Sequence, residues 1–73
     1  MNTTFTTTDP HVAAYLLTKG YPLIRLDEAG MWKRFVFDET AHHDAEAFNA
    51  DAPIPARSFV RRLRDVRGFL RGA

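Results

Sequence analysis

The first eight residues are polar apart from Met1 and Phe5. Terminal segments of that kind stay loose unless a contact ties them down, so 1–7 is expected to be a flexible N-terminal arm with Phe5 as its tether. Thr8-Asp9-Pro10 then combines a capping side chain with a proline at a first helical position, where its missing N–H is not needed. A helix is predicted from Pro10 to about Lys19, with Val12, Tyr15 and Leu16 as an apolar stripe, Ala13 on its flank, and Gly20 free to adopt positive φ behind the last turn. From Tyr21 the period falls to two. Tyr21 to Leu26 is predicted as a strand, with Ile24 and Leu26 on one side and Leu23 and Arg25 on the other. Asp27 to Gly30 is the connection, and Met31 to Asp38 is a second, antiparallel strand. On that strand Met31, Lys33, Phe35 and Phe37 share a face, and Trp32, Arg34, Val36 and Asp38 share the other. The phenylalanine face is the core candidate, because two large rings outweigh a lysine that can snorkel.

Thr40 is placed to cap a further helix, with Ala41, Ala45 and Phe48 inward and Asp44 and Glu46 outward. Asn49 to Pro53 breaks it, and Pro55 suits the first position of a last helix reaching Leu70. Within that helix Ala56, Phe59, Leu63, Val66 and Leu70 recur at spacings of 3, 4, 3 and 4, the clearest periodic signal in the chain. The expected architecture is a small α+β domain covering 1–73, in the order α-β-β-α-α, with the Phe35 and Phe37 face packed on the C-terminal helix.

Composition narrows the function more than the fold. A chain of 73 residues with no cysteine has neither disulfides nor thiolate metal ligands to supplement a small core. No run approaches the roughly 18 apolar residues of a membrane span, and the Thr-rich start lacks the basic and apolar regions of a secretion signal. A cytoplasmic protein with no membrane partner is the expectation.

The net charge of +1 conceals a strong asymmetry. Residues 1–55 hold four basic and eight acidic side chains, a net of −4, whereas 56–73 hold Arg57, Arg61, Arg62, Arg64, Arg67 and Arg71 against Asp65 alone, a net of +5. At about 100° per residue, Arg57, Arg61, Arg64, Arg67 and Arg71 fall on one arc beside the apolar seam, and Arg62 lies past its other edge. Such a stripe extends for roughly 20 Å. Guanidinium forks match phosphate geometry, so nucleic acid, DNA or RNA, is one expected partner. The stripe is equally suited to pairing internally with the acidic first half, for example with Asp44, Glu46 or Asp51.

The outer face of the hairpin, with Leu23, Trp32, Arg34 and Val36, is the second candidate surface. It can lie buried under the first helix, form a homodimer or protein-partner interface, or stack unpaired bases. Neither a cofactor nor a small-molecule substrate is expected. His11, His42 and His43 with Asp44 and Glu46 do not converge at metal-ligand spacing. Ser58 lies in an Arg-rich helix without a nucleophile elbow, and the chain is small for a desolvated pocket, so catalysis is not expected.

Four stretches carry a resemblance: Thr7-Thr8-Asp9, the run from Ala13 to Tyr21 (Ala-Ala-Tyr-Leu-Leu-Thr-Lys-Gly-Tyr), Arg34-Phe35-Val36-Phe37-Asp38, and Pro55-Ala56-Arg57-Ser58-Phe59-Val60. In this order they resemble a small, functionally uncharacterised bacterial and phage family over nearly the whole chain. The resemblance implies the α-β-β-α-α order and brings no activity with it. Occurrence of that family in phage-like and mobile-element genomes implies an association with DNA processing. The expected function is therefore a non-enzymatic accessory or adaptor protein that binds nucleic acid, or a partner that processes it, through the arginine stripe. The alternative is a protein–protein module, a homodimer through the hairpin.

Overall fold

A computed structural model describes residues 3–71. They form an α+β domain of three strands and three helices: β1 (Thr4–Thr7), α1 (Pro10–Thr18), β2 (Arg25–Ala29), β3 (Trp32–Asp38), α2 (Ala41–Asn49) and α3 (Ala56–Leu70). The sheet is antiparallel with order β1-β3-β2, so β3 is central. The first element corrects the expectation of a flexible arm. Thr4 to Thr7 pair with Asp38 to Phe35, the Glu39 amide donates to the Thr3 carbonyl at 3.1 Å, and Phe5 packs against the core. The tether is thus a ladder as well as a ring. Residues 1 and 2 of the expected arm lie outside the described residues.

The hairpin is also displaced from its expected position. The sequence pattern predicts strand from Tyr21, but the ladder between β2 and β3 runs from Arg25↔Val36 to Ala29↔Trp32, with one further bond from the Ile24 amide to the Val36 carbonyl at 2.8 Å. Only Gly30 and Met31 remain as the loop, and Gly30 has φ +67 while Met31 does not have positive φ. A two-residue turn with positive φ at its first central position matches strand twist and favours glycine there. The tighter turn draws Asp27 and Glu28 into the strand.

α1 begins as its sequence requires. The His11 amide donates to Asp9 Oδ1 at 2.9 Å, and Pro10 takes the first turn. At the other end Gly20, at φ +100, lets its own amide reach the Leu17 carbonyl and the Tyr21 amide reach the Leu16 carbonyl, both at 3.1 Å. This crossed pair of bonds is a Schellman cap. α2 ends in the same way with Asp51 in the left-handed position at φ 63, its amide on the Phe48 carbonyl and the Ala52 amide on the Ala47 carbonyl. The start of α2 departs from expectation. Thr40 makes no cap with its side chain; its amide and hydroxyl both donate to Asp38 Oδ1, at 3.0 and 2.7 Å. These bonds, the amide's first, hold the Asp38 carboxyl below its ordinary pKa.

Register and strand alternation divide the sheet into two faces. Phe5, Phe35, Phe37 and Leu26 face the helices and belong to or pack on the core. Thr6, Trp32, Arg34, Asp38 and Arg25 share the opposite face and are exposed. Val36 lies among them yet is fully buried and stands apart from the helix-side core. Its two cross-strand neighbours, Thr6 and Arg25, flank it on either side.

The core centres on α1, where Val12 to Leu16 are all buried. α3 packs chiefly along α1 and not, as expected, on the hairpin. Val66 is fully buried, and Phe59 and Leu63 are half-buried against the same cluster as Phe35 and Phe37. Ala56 and Leu70, the ends of the predicted seam, are exposed. A row of rings ties the helices together: Tyr15 meets Phe48 at 5.1 Å, and Phe48 meets Phe59 at 6.2 Å.

Truncating Phe37, which is fully buried on the central strand, is expected to cost about 3–5 kcal/mol, comparable to the whole stability of a domain this small. Phe37→Ala should therefore lose its cooperative thermal transition. Met31→Ala, at a side chain 97% exposed, should melt like the parent.

Candidate functional site

α3 is the most one-sided of the three helices. Its apolar edge is occupied by α1, and this fixes the direction of everything else on it. Arg57, Arg61, Arg64, Arg67 and Arg71 are all exposed on the flank turned away from Phe59 and Val66. The structure brings the five onto one surface, as their spacing predicts. Ala56, Arg57, Val60, Arg61 and Arg64 line one open depression of ≈ 520 Å³. Val60, Leu63, Arg64, Arg67 and Arg71 line the next, of ≈ 390 Å³. Val60 and Arg64 belong to both, so the two form one continuous track along the helix.

Val60 was missed in the sequence. It is 53% exposed in the middle of the cationic arc, and its angular position, three residues after Arg57 and four before Arg64, is the signal that marks it.

The electrostatics of the track follow from what the acidic residues do instead. Among the described residues the close charged contacts are Asp9 with His11 (3.4 Å), Arg25 with Asp27 (3.0 Å), His42 with Glu46 (3.5 Å) and Arg62 with Asp65 (3.5 Å). None involves an arginine of the stripe. The internal partners that the sequence offered are engaged elsewhere or apart: Glu46 lies beside His42, and Asp44 accepts the Tyr21 hydroxyl at 2.6 Å. Asp44 is thus half-buried under a ring and not simply turned outward. Arg62 sits across the seam with the one acid of the helix, as its position predicts.

The second candidate surface is only partly assembled. Trp32 is 68% exposed, and Arg34 beside it on the same face is exposed. No helix covers Trp32, because α1 packs on the other face of the sheet. Leu23 is partly buried against the core and Val36 is fully buried. Among the described residues no three His, Cys, Asp or Glu come together in a way that would hold a metal ion, and no helix is long and apolar enough to cross a membrane.

A family model matches residues 2–71, nearly the entire chain. The chain belongs to the DUF5659 family, a domain of unknown function. No curated protein and no solved structure matches it. Membership in DUF5659 carries no activity, so function has to be argued from the site.

The bond between Tyr21 and Asp44 generates a test of the loop that follows α1. Hydrogen bonding to the Asp44 carboxylate, with a smaller contribution from desolvation, raises the Tyr21 pKa above its ordinary 10.0. The folded state therefore favours the neutral phenol. Its contribution is fully present below the unfolded value and is lost as pH rises through the higher folded one. Tyr21→Phe is expected to melt below the parent at pH 7, with the gap closing above pH 10. Thermal unfolding of both proteins across that range, followed by circular dichroism, checks it.

Proposed function

We propose that this domain is a cytoplasmic, non-enzymatic accessory protein of phage or mobile-element type that binds nucleic acid, or a partner engaged with nucleic acid, through Arg57, Arg61, Arg64, Arg67 and Arg71. One observation carries the proposal. Five exposed guanidinium groups lie on one flank of a single helix, and none has an ionic partner among the described residues. Like charges this close repel one another, and an anionic ligand with regularly spaced charges relieves that repulsion. A sugar-phosphate backbone is such a ligand, and each guanidinium can grip a phosphate with two donors. Binding by this route draws its free energy from released counterions and is therefore steeply salt-dependent.

A second reading, a homodimer or protein-partner module, is favoured by the exposure of Trp32 on the hairpin. In the free domain Leu23 is partly buried and Val36 fully so, which leaves Trp32 and Arg34 as the exposed members of that surface.

The parent protein should be retained on DNA or RNA at about 50 mM salt. If all five arginines engage, log K should fall with log salt at a slope of about −4.5 on a duplex or about −3.5 on a single strand. Reversing Arg57, Arg61 and Arg64 together to Glu should abolish retention while leaving the thermal transition in place, because all three are exposed. Arg62→Glu should bind as the parent does. Absence of retention on single-stranded DNA, double-stranded DNA and RNA alike would sink the proposal. Unfolding of the triple variant would assign the arginines a structural role instead.

A further inference from the structure

The outermost arginines of α3 form a row. Arg57, Arg61, Arg64 and Arg71 stand at spacings of 4, 3 and 7, which is a 4, 3, 4, 3 progression along one helix face with its fourth place missing. Gly68 occupies that place. It lies one turn after Arg64 and one turn before Arg71, so a row of long cationic side chains has a gap where the helix backbone is bare. None of the usual structural duties of glycine falls on it. Positive φ occurs among the described glycines at Gly20 and Gly30 and not within α3, and a Cβ at Gly68 would have nothing within 4 Å outside the helix's own turn. Glycine inside a helix weakens it, so this residue destabilises α3 without serving the packing.

What the gap admits follows from where a ligand keeps its charge. An acidic peptide carries carboxylates at the ends of side chains, which meet arginine tips and hold its own backbone at a distance. A phosphodiester carries its charge in the chain itself, so a phosphate drawn between two guanidinium groups brings the strand down onto the helix. A residue without a side chain leaves room for that approach. Arg64 and Arg71, on either side of the gap, both line the second depression of the track. The C-terminal end of a helix disfavours an anion, but three cations answer it here: Arg67, Arg71 and Lys33, whose ammonium donates to the Phe69 carbonyl at 3.3 Å. Asp65, three residues before Gly68, is drawn to Arg62 at 3.5 Å.

We infer that Gly68 is a contact point for the sugar-phosphate backbone, with one phosphate seated against the bare helix between Arg64 and Arg71. The inference rests on the function proposed above and locates, within that site, the position at which the ligand's chain meets the protein. It accounts for a glycine inside a helix of 15 residues whose surroundings would accept a side chain.

Gly68→Ala and Gly68→Leu fill the gap by steps, and both new residues favour helix over glycine. Gly68→Ala should melt above the parent by roughly 2–8 °C. Affinity should move the other way. Anisotropy of a labelled oligo(dT) of about 20 nucleotides, and of a duplex of the same length, at about 50 mM salt should show weaker binding for Gly68→Ala than for the parent. For Gly68→Leu the loss should be roughly tenfold or more. A gain in stability joined to a loss of binding is the signature, since a glycine needed for packing would lower both. A loss on one probe alone supports the seat and identifies the form of nucleic acid that fills it. Parent-like binding by both variants would overturn the inference and leave the arginine proposal standing. A melting temperature below the parent's for Gly68→Ala would also overturn it, by giving the glycine a role in the fold. No binding by the parent to either probe would remove both proposals. Tighter binding to poly-glutamate than to either nucleic acid, with the same decline from the parent to Gly68→Leu, would give the gap to an acidic protein and overturn the phosphate seat.

Discussion

Burial of the middle of α1 is the constraint on which the rest of the domain depends. Five consecutive residues, Val12 to Leu16, are buried, and at about 100° each they point in all directions around the helix axis. A helix of nine residues is too short to persist alone in water, so it exists because other elements enclose it. Ala13 and Ala14, both without exposed surface, keep the helix slim enough for α3 to lie close along it. The sheet supplies Phe35 and Phe37, α2 supplies Ala41 and Ala45, and α3 supplies Val66 to the same core. Asp9 and Gly20 fix where α1 starts and stops, and so fix how much of it must be enclosed.

That enclosure determines the surface chemistry. Once the Phe59, Leu63 and Val66 edge of α3 is committed to the core, the arginines adjacent to it along the helix can only face outward. The acidic half of the chain does not follow them. Asp44 is held by Tyr21, Glu46 lies beside His42, and Asp27 takes Arg25. The charge asymmetry of the sequence thus survives folding as a spatial asymmetry, with one cationic track along α3. The open face of the sheet has a related origin: α2 and α3 both pack on α1, and no described helix is left to cover Trp32 and Arg34.

The parts of this fold that were legible in the sequence are those set by local chemistry. The proline and aspartate at the start of α1, the glycine after it, and the 3,4 spacing of α3 each act within a turn or two of chain. The alternation in β3 placed Phe35 and Phe37 inward for the same reason. What escaped depends on contacts distant in sequence. Thr4 to Thr7 carry one apolar side chain and no readable period, and they become a strand only because β3 offers a free edge. Leu23 and Ile24 alternate like a strand in the sequence, whereas register is set by the two-residue turn at Gly30, which moves the hairpin toward the C-terminus. In the candidate site the arginine arc was legible from helical periodicity. Whether Asp44 or Glu46 would neutralise it was not, since that depends on how α2 is oriented in space.

The central claim is that these five guanidinium groups are uncompensated in the free domain. The most direct test is the melting temperature of the protein alone at pH 7 as NaCl rises from about 0.01 to 0.15 M, which shortens the screening length from roughly 30 to 8 Å. If the arginines repel one another without internal partners, screening relieves the repulsion and the melting temperature rises. A fall over the same range would mean that salt is weakening attractive pairs between the arginines and the acidic half, and would contradict the account.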